Sequence, residues 1–285
     1  MSHAAELSIV VVATNLLQVT ACVESLAACA ELDQAEIVVV AAVDCSPLVG
    51  RFSRLRIVDA DRAWSMPRLR AEGLRGVSRT WSAVISEDYR VGDGWAEAVV
   101  SQRVQGDFLV GEVIPPGRGS FAVAAYLWEY LHVAPPAADG ELTRKQARWA
   151  PAGAVVYRMN ALDIDAMAAA RSEMEYHQAL FDAGRRFYRD PRMQVHYAPP
   201  AHGVLSDRMR RSRKWALWRS ESMPSRWLAV SSRIALPIVL IGRFIVLAAM
   251  RPRYWIRAIR SLPYVLLFAG AETLGEMQGY FRRTV

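Results

Sequence analysis

One stretch decides the fold: Trp81-Ser-Ala-Val-Ile-Ser-Glu-Asp-Tyr89, an apolar strand that ends in two adjacent carboxylates. In open α/β sheets, ligands bind at the carboxyl edge of the strands. A carboxylate at that edge holds a hard divalent cation, Mg²⁺ or Mn²⁺, whose open positions accept phosphate oxygens. The stretch therefore indicates a site for a metal ion and a diphosphate, although an ordinary acidic turn at a solvated strand end has the same pattern.

Strands and helical patterns alternate along residues 1–200. The runs Leu7-Ser-Ile-Val-Val-Val-Ala13 and Glu36-Ile-Val-Val-Val-Ala-Ala42 are continuously apolar, as in strands buried on both faces, and a helical pattern lies between them. This βαβ unit predicts an α/β fold with a doubly wound, mostly parallel sheet. Further strands are predicted at 55–58, 107–111 and 152–158, and further helices entered at 65–67, at about 93–103, at 120–131 and from about 160 onward.

Charge divides the chain near residue 207. Residues 1–207 hold 20 Lys and Arg against 25 Asp and Glu, whereas residues 208–285 hold 15 against 3. The arginines of the second segment alternate with apolar runs, a mixture that suits an anionic membrane surface better than nucleic acid. We therefore predict two domains, 1–207 and 208–285, of which the second is a helical, membrane-associated tail, and we expect no nucleic-acid partner.

The tail admits three arrangements. Residues 232–250 are long enough to cross a bilayer but contain Arg233, Pro237 and Arg243, and the apolar run 262–271 is about half a span. A spanning hairpin would leave its arginine-rich connection outside, against the positive-inside tendency. The prediction is therefore peripheral, monotopic attachment to the cytoplasmic face of the plasma membrane. Two spanning helices are the first alternative, and a tail packed on the catalytic domain is the second. Four tryptophans are expected at headgroup depth: Trp215, Trp218, Trp227 and Trp255.

Cysteine usage and the N-terminus indicate a reducing compartment. The three cysteines, Cys22, Cys29 and Cys45, are an odd number without metal-ligand spacing, so we expect free thiols. The N-terminus runs directly into the first strand, and we expect no signal peptide. The first strand continues as Ala13-Thr-Asn15 rather than as a Gly-rich dinucleotide turn, and no Walker loop occurs. A nucleotide would therefore be held by side chains and metal.

The order and spacing of several motifs resemble the family-2 glycosyltransferases over residues 7–215. The motifs are strand ends at Thr14-Asn15 and Val43-Asp44, the helix Pro67-x-x-Arg70-x-x-Gly73, Glu87-Asp88 with Gly94-Trp95 behind it, Pro151-Ala-Gly153, and Glu173 eleven residues before Gly184. The resemblance implies the nucleotide-sugar transferase fold called GT-A, a nucleoside diphosphate sugar as donor, and inversion at the transferred sugar.

The resemblance also assigns residues to the donor and metal sites. Thr14 and Asp44 would meet the nucleotide base and ribose, although Asp44 is equally well explained as a turn residue in Asp44-Cys-Ser-Pro47. The family's Asp-x-Asp metal motif reads Ser86-Glu87-Asp88 in this chain. The resemblance therefore places the last carboxylate, Asp88, on the cation, with Glu87 as a less certain member of the donor site.

Glu173 begins a helix where the family carries Glu-Asp, whose Asp removes the proton of the acceptor hydroxyl. A glutamate within hydrogen-bond reach of the nucleophile can do the same, whereas an acidic residue at a helix start also has a purely electrostatic explanation. His196 would approach the diphosphate or be a half-buried structural residue. The basic run 208–215 would lie over the leaving diphosphate, feed a lipid-linked acceptor, or be a solvated interfacial face.

The sequence thus predicts a metal-dependent, inverting glycosyltransferase of polysaccharide or cell-envelope biosynthesis. It would move a sugar from a nucleoside diphosphate donor to a hydroxyl of a lipid-linked or polysaccharide acceptor. A nucleotidyltransferase is one alternative, but the Ala13-Thr-Asn15 turn lacks a phosphate-cradling loop. The other is a membrane-bound partner protein that keeps the fold and has lost the chemistry, which the altered motifs Ser86-Glu87-Asp88 and Ser172-Glu173 leave open.

Overall fold

The computed structural model describes residues 6–102, 106–117, 119–134, 139–200, 203–219 and 233–281. The chain forms two compact units. Unit 1 comprises Met1–Ile114 and Val133–Ala198, and unit 2 comprises Pro115–His132 and Pro199–Val285. The functional division predicted at residue 207 stays a prediction. Trp227 and the side chains of Trp215 and Trp218 lie outside the described part of the chain.

Strands alternate with helices in unit 1, and helices make up unit 2. The strands are β1 Leu7–Ala13, β2 Glu36–Ala41, β3 Leu55–Asp59, β4 Trp81–Ser86, β5 Tyr89–Val91, β6 Phe108–Ile114, β7 Gly140–Glu141, β8 Ala154–Arg158 and β9 Phe187–Tyr197. The helices are α1 Leu16–Ala27, α2 Met66–Arg75, α3 Trp95–Gln102, α4 Ser120–Tyr130, α5 Arg144–Arg148, α6 Ile164–Ala169, α7 Glu173–Asp182, α8 Val204–Arg219, α9 Leu236–Ala249 and α10 Trp255–Phe281. Helices α4, α8, α9 and α10 belong to unit 2.

Within the described residues, the strands of unit 1 form one sheet in the order β3-β2-β1-β4-β8-β6-β9-β5, with β7 paired to β9. The pairs β3-β2, β2-β1, β1-β4 and β6-β9 are parallel, whereas β8 is antiparallel to both β4 and β6. Strands β5 and β7 are antiparallel to β9. Most strands therefore run in one direction, and the predicted α/β class with a mostly parallel sheet is confirmed.

Burial on both faces explains the continuous apolar runs. All seven residues of β1 are buried. Helix α2 packs on β1 and β2 through Gly73, where a Cβ would come within 2.4 Å of Val10 and 2.7 Å of Val40. The predicted start of α2 is also observed, because the Ser65 hydroxyl accepts from the Arg68 N–H and Pro67 lies in the first turn. Strand and helix therefore approach as closely as a glycine allows.

Unit 2 buries ion pairs among its helices. Arg208 of α8 is 4% exposed and contacts Glu129 of α4 at 3.4 Å and Glu272 of α10 at 3.2 Å. Arg233 pairs with Glu276 at 2.7 Å. Burial alone would raise the pKa of Glu129, but the neighbouring guanidinium groups outweigh it and hold the pKa below its usual value. None of the helices described here combines the length and apolar character needed to cross a bilayer.

Candidate active site

The carboxyl ends of β1, β2 and β4 meet at one edge of the sheet. Parallel pairing aligns Val12 of β1 with Ser86 of β4, and Ala13 of β1 with Ala41 of β2. The residues that follow these strands, which the sequence analysis assigned to the donor and the metal, therefore share an edge. Ligands of open α/β sheets bind at such edges.

Glu87 is held by the turn between β1 and α1. The Thr14 hydroxyl donates to its Oε1 at 2.5 Å, and the backbone N–H groups of Thr14 and Asn15 donate to its Oε2 at 2.8 and 3.0 Å. The Asn15 side chain in turn accepts from the Leu17 and Gln18 N–H groups and caps α1. Thr14 and Glu87 are therefore in direct contact, and they hydrogen-bond to each other.

Asp88 follows in the turn that leads into β5. It is half-buried, and its backbone carbonyl accepts from the Ala198 N–H at 2.7 Å. Strand β5 pairs with β9 so that Arg90 lies opposite His196. His196 is exposed, so it is not the half-buried structural residue that the sequence left open. The carboxylate turn, Arg90 and His196 therefore form one polar region around the end of β4.

Arg90 is a site residue that sequence reasoning missed. Its guanidinium donates to the backbone carbonyls of Glu87 at 2.9 Å and of Tyr89 at 2.7 Å, and to the Gln18 side chain at 3.3 Å. These bonds fix a positive charge beside the carboxylate turn. Its place two residues after Asp88 was the available signal, but β5 is only three residues long and was not predicted.

The motif Pro151-Ala-Gly153 lies against the end of β4. The Ser86 N–H donates to the Gly153 carbonyl at 3.1 Å, and a Cβ at Gly153 would come within 1.8 Å of the Ser86 hydroxyl. No side chain fits there without moving the strand end. The close contact with Ser86 explains why a glycine occupies position 153, and it places this motif beside the acidic turn.

Asp44 lies at the end of β2, fully exposed. Its carboxylate accepts from the Ser46 N–H at 2.9 Å, and this hydrogen bond lowers the pKa of Asp44. The turn role that the sequence left open is therefore observed. Contact of Asp44 with a ribose stays a prediction.

Glu173 is paired with Arg70. The Arg70 Nη1 lies 2.6 Å from the Glu173 Oε1, with the arginine side chain 8% exposed and the glutamate 23%. The predicted helix start is observed, since Ser172 caps α7 by accepting from the Glu175 N–H. Within the described part of the chain, Arg70 bonds to the Oε1 atom of Glu173. That bond orients the carboxylate, and Oε2 is the oxygen that can contact a ligand. Arg70 belongs to the helix motif Pro67-x-x-Arg70-x-x-Gly73, from which no partner for it could be predicted.

His177 lies in the core on the same helix. It is fully buried, and its Nε2 is 2.8 Å from the Tyr157 hydroxyl. Burial, with a smaller contribution from Arg70, lowers the pKa of His177 to about 3. Glu175 is exposed on the other side of α7, where it accepts from the Arg171 N–H. On α7, Glu173 is therefore partly buried and held in a fixed geometry at the helix start, whereas Glu175 and Asp182 are exposed and His177 is fully buried.

A pocket of about 390 Å³ lies between α5 and α7. Its lining is cationic, aromatic and amide in character, contributed by Arg144, Lys145, Arg148, Trp149 and Gln178. The Arg148 guanidinium lies 5.8 Å from the centre of the Trp149 ring, and Arg144 pairs with Asp182 at 2.6 Å. Such a lining suits sugars and phosphate groups.

Two adjacent carboxylates, Glu87 and Asp88, lie at this edge where a divalent cation would bind. In the part of the chain that the structure describes, no group of three or more histidine, cysteine or acidic side chains is arranged to hold a metal. Glu87 already accepts three hydrogen bonds, which leaves Asp88 as the carboxylate for the ion. One carboxylate together with substrate phosphates is a common way to bind Mg²⁺. The residues present therefore fit a cation that arrives with a diphosphate.

The three cysteines are free thiols, as the sequence predicted. Cys22 and Cys45 are buried, and burial raises the pKa of the Cys22 thiol to about 12. A thiol with so high a pKa is neutral at physiological pH, so Cys22 contributes packing rather than a nucleophile.

Comparison with known proteins gives no match among protein-family models and none among curated sequences. Solved structures do match. The mannosyltransferase PcManGT from Pyrobaculum calidifontis, in complex with GDP-Man and Mn²⁺, has a TM-score of 0.51 at 14% identity, covering 95% of this chain and 87% of that chain. S. aureus TarS 1-349 has a TM-score of 0.53 at 15% identity, and its complex with UDP-GlcNAc has 0.54 at 13%; both cover 98% of this chain and 92% of that chain. At these identities the likeness shows a shared fold, one that binds nucleotide sugars in these neighbours.

Proposed function

We propose that the protein is a nucleotide-sugar-dependent, inverting glycosyltransferase of the family-2 type. The observation that carries this proposal is the carboxylate turn, Glu87 and Asp88, at the ligand-binding edge of a sheet whose fold is shared with a mannosyltransferase that binds GDP-Man and Mn²⁺. The donor is a nucleoside diphosphate sugar, and the acceptor is a hydroxyl of a lipid-linked or polysaccharide molecule.

In this proposal the donor lies along the edge formed by β1, β2 and β4. Asp44 accepts from a ribose hydroxyl, and Thr14 faces the base with its carbonyl side, because its N–H and hydroxyl are bonded to Glu87. His196 and Arg90 face the diphosphate from the β5-β9 side. Glu87 acts by holding the β1-α1 turn in place rather than by touching the donor.

Asp88 and the phosphate oxygens of the donor would together hold the cation. When bound, the ion offsets negative charge on the departing diphosphate. Arg90 adds a fixed positive charge in the same region, held by two backbone carbonyls that prevent it from swinging away. The chain thus supplies one metal ligand and one guanidinium to the leaving group.

Glu173 is the proposed general base. Arg70 holds the carboxylate through Oε1, and Oε2 takes the proton of the acceptor hydroxyl as its oxygen attacks the anomeric carbon. The bond from that carbon to the diphosphate breaks on the opposite side, and its electrons leave with the diphosphate. A single displacement of this kind inverts the configuration of the sugar.

The pocket between α5 and α7 is the proposed acceptor subsite. Its aromatic, amide and basic side chains suit an acceptor that carries both a sugar and a phosphate group. Trp149 precedes by four residues the glycine that contacts the end of β4. An anionic, sugar-containing acceptor fits this lining better than an uncharged one.

A donor panel tests the proposal. The full chain is titrated with GDP-Man, UDP-GlcNAc and the corresponding free nucleotides, with Mn²⁺ and with EDTA, and both binding and donor hydrolysis are followed. The expected result is Mn²⁺-dependent binding of at least one nucleotide sugar with slow release of nucleoside diphosphate. Failure of every nucleotide and nucleotide sugar to bind would overturn the proposal.

A catalytically degenerate partner protein is the second candidate. The observation that favours it is that both acidic motifs are engaged internally, Glu87 by Thr14 and Asn15, and Glu173 by Arg70. Such a protein would bind nucleotide sugar without hydrolysis or transfer. A nucleotidyltransferase would instead release pyrophosphate from a nucleoside triphosphate, so adding GTP and UTP to the panel and measuring pyrophosphate separates the three.

A further inference from the structure

Large apolar side chains are concentrated on the surface of α9 and α10. Fifteen large hydrophobic residues are exposed in the part of the chain that the structure describes, and 13 of them lie between residues 234 and 281. Contiguous apolar surface of this kind marks an interaction site in a soluble protein. The two exceptions, Leu17 and Val49, lie in unit 1 and far apart in sequence.

The exposed residues of α10 form one stripe along the helix. At about 100° per residue, its members fall within an arc of about 100° and extend over about 38 Å of the helix. We call this surface the outer stripe; its residues are Ile256, Ile259, Leu266, Leu267, Leu274 and Phe281. The opposite side of α10 is buried in unit 2 and carries residues such as Val265, Phe268 and Ala269. The stripe is therefore a second apolar face, separate from the one that packs in the core of unit 2.

Charges around the outer stripe are of one sign. Arg253, Arg257 and Arg260 are exposed at its N-terminal end, beside the exposed Trp255. Residues 233–281 contain only two acidic residues, Glu272 and Glu276, and both face inward, to Arg208 and to Arg233. The N-terminal end of the outer stripe therefore presents Arg253, Arg257 and Arg260, and neither carboxylate of residues 233–281 faces them.

We infer that the outer stripe is a membrane-docking surface, on which α10 lies parallel to an anionic bilayer with its apolar side chains among the acyl chains. The arginines contact lipid phosphates at one end, and Trp255 lies at headgroup depth. An anionic bilayer is complementary to this surface, because its acyl chains accept the apolar side chains and its phosphates attract the arginines. A second copy of the chain matches it poorly, because two such surfaces would bring arginines together with no acidic partners.

Vesicle binding of the full chain tests the inference. The protein is sedimented with vesicles of neutral phosphatidylcholine and with vesicles containing about 30% anionic phosphatidylglycerol, at low and high salt. Strong binding is expected only to the anionic vesicles, with partial release as salt screens the arginine contacts. Arg257→Gln with Arg260→Gln should reduce the affinity for anionic vesicles by about thirtyfold, since each arginine near the surface contributes about 1 kcal/mol.

The apolar part is tested by Leu267→Glu and by the triple variant Ile259→Glu, Leu267→Glu, Leu274→Glu. The single change should weaken vesicle binding about tenfold and the triple change more than about a hundredfold, because insertion then buries a carboxylate. Val49→Glu changes an exposed apolar residue of unit 1 to the same acidic side chain; it is the matched control and should bind as the parent does. A thermal melt of each variant establishes that the fold is kept.

Two outcomes would overturn the inference. The first is vesicle binding that is unchanged in the folded triple variant and in the arginine variant. The second is self-association of the parent, seen by sedimentation in the absence of lipid, that the triple variant abolishes while the parent shows no affinity for vesicles. That result would assign the outer stripe to a contact between two copies of the chain. Donor binding is measured separately, so failure here leaves the proposed transferase activity untouched.

Discussion

The sheet edge of unit 1 and the helices of unit 2 distribute charge in opposite ways. At the sheet edge, charged side chains surround the surface where a ligand is expected, and β1 behind them is buried along its whole length. In unit 2 the ion pairs of Arg208 and Arg233 lie inside, and isoleucines and leucines lie outside. Unit 1 therefore exposes charged side chains at its sheet edge, whereas unit 2 exposes apolar side chains and buries its ion pairs.

The largest expected effect concerns the sheet unit. Glu173→Gln should keep donor binding and lower turnover by about two to four orders of magnitude, the range for loss of a general base. Steady-state transfer and donor titration together measure it. Glu175→Gln, a change on the exposed side of the same helix, is the control and should leave turnover unchanged. Loss of donor affinity without loss of turnover per bound complex would make Glu173 a binding residue.

The next effect concerns the inside of unit 2. Arg208→Met should lower the free energy of unfolding by about 3–5 kcal/mol, because Glu129 and Glu272 then lose a buried partner. Arg211→Met removes a guanidinium that is about half exposed and should cost at most about 1 kcal/mol. Denaturant titration followed by circular dichroism compares the two. Equal costs would mean that the buried network adds no more than the surface pair does.

Substitutions of the two adjacent carboxylates at the sheet edge should affect different properties, metal-dependent binding in one variant and stability in the other. Asp88→Asn is expected to weaken Mn²⁺-dependent nucleotide binding by about tenfold or more, with little change in melting temperature. Glu87→Gln should do the reverse and cost about 1–3 kcal/mol of stability, because the amide replaces only part of the hydrogen bonding of the carboxylate. Isothermal titration and thermal melts are run on both variants. Similar effects of both on metal-dependent binding would make Glu87 a ligand as well.

The smallest expected effect is on acid stability. Because burial lowers the pKa of His177 to about 3, the unfolded chain takes up its proton first as the pH falls below 6.5. The contribution of His177 is complete above pH 6.5 and declines toward pH 3, with a loss of about 1 kcal/mol between pH 7 and 5.5. In His177→Leu the unfolding free energy should fall less steeply over this interval. If the unfolding free energy falls equally steeply with pH in both proteins, the pKa of His177 is not lowered in the folded state.

Local patterns in the sequence predicted much of the sheet. The apolar runs became β1 and β2 with nearly the expected bounds, and the strand before Glu87 ends at Ser86. Ser65 and Ser172 cap the helices that their positions indicated. These features are decided by neighbours in sequence, through side-chain periodicity and first-turn hydrogen bonds, so the sequence alone was sufficient.

Contacts between distant residues were not predictable in the same way. The pairing of Arg70 with Glu173 joins residues 103 positions apart, and Glu87 bonds to Thr14 across 73 positions. Arg208 belongs to a basic run that looks solvated in sequence, yet it is buried, because its partners Glu129 and Glu272 come from two other helices. Strand β5 was missed for a similar reason, since three residues carry no periodic signal and its pairing with β9 defines it.

The turn after β1 already binds an anionic group of the same chain, the Glu87 carboxylate. Four of its backbone amides, those of Thr14, Asn15, Leu17 and Gln18, already donate to oxygens of Glu87 and of the Asn15 side chain. In dinucleotide-binding folds the corresponding amides are vacant and attract a phosphate. Here an incoming phosphate would meet a resident carboxylate, and like charges repel. These four amides are therefore already satisfied within the chain, so a bound diphosphate would have to be held by side chains and a cation instead.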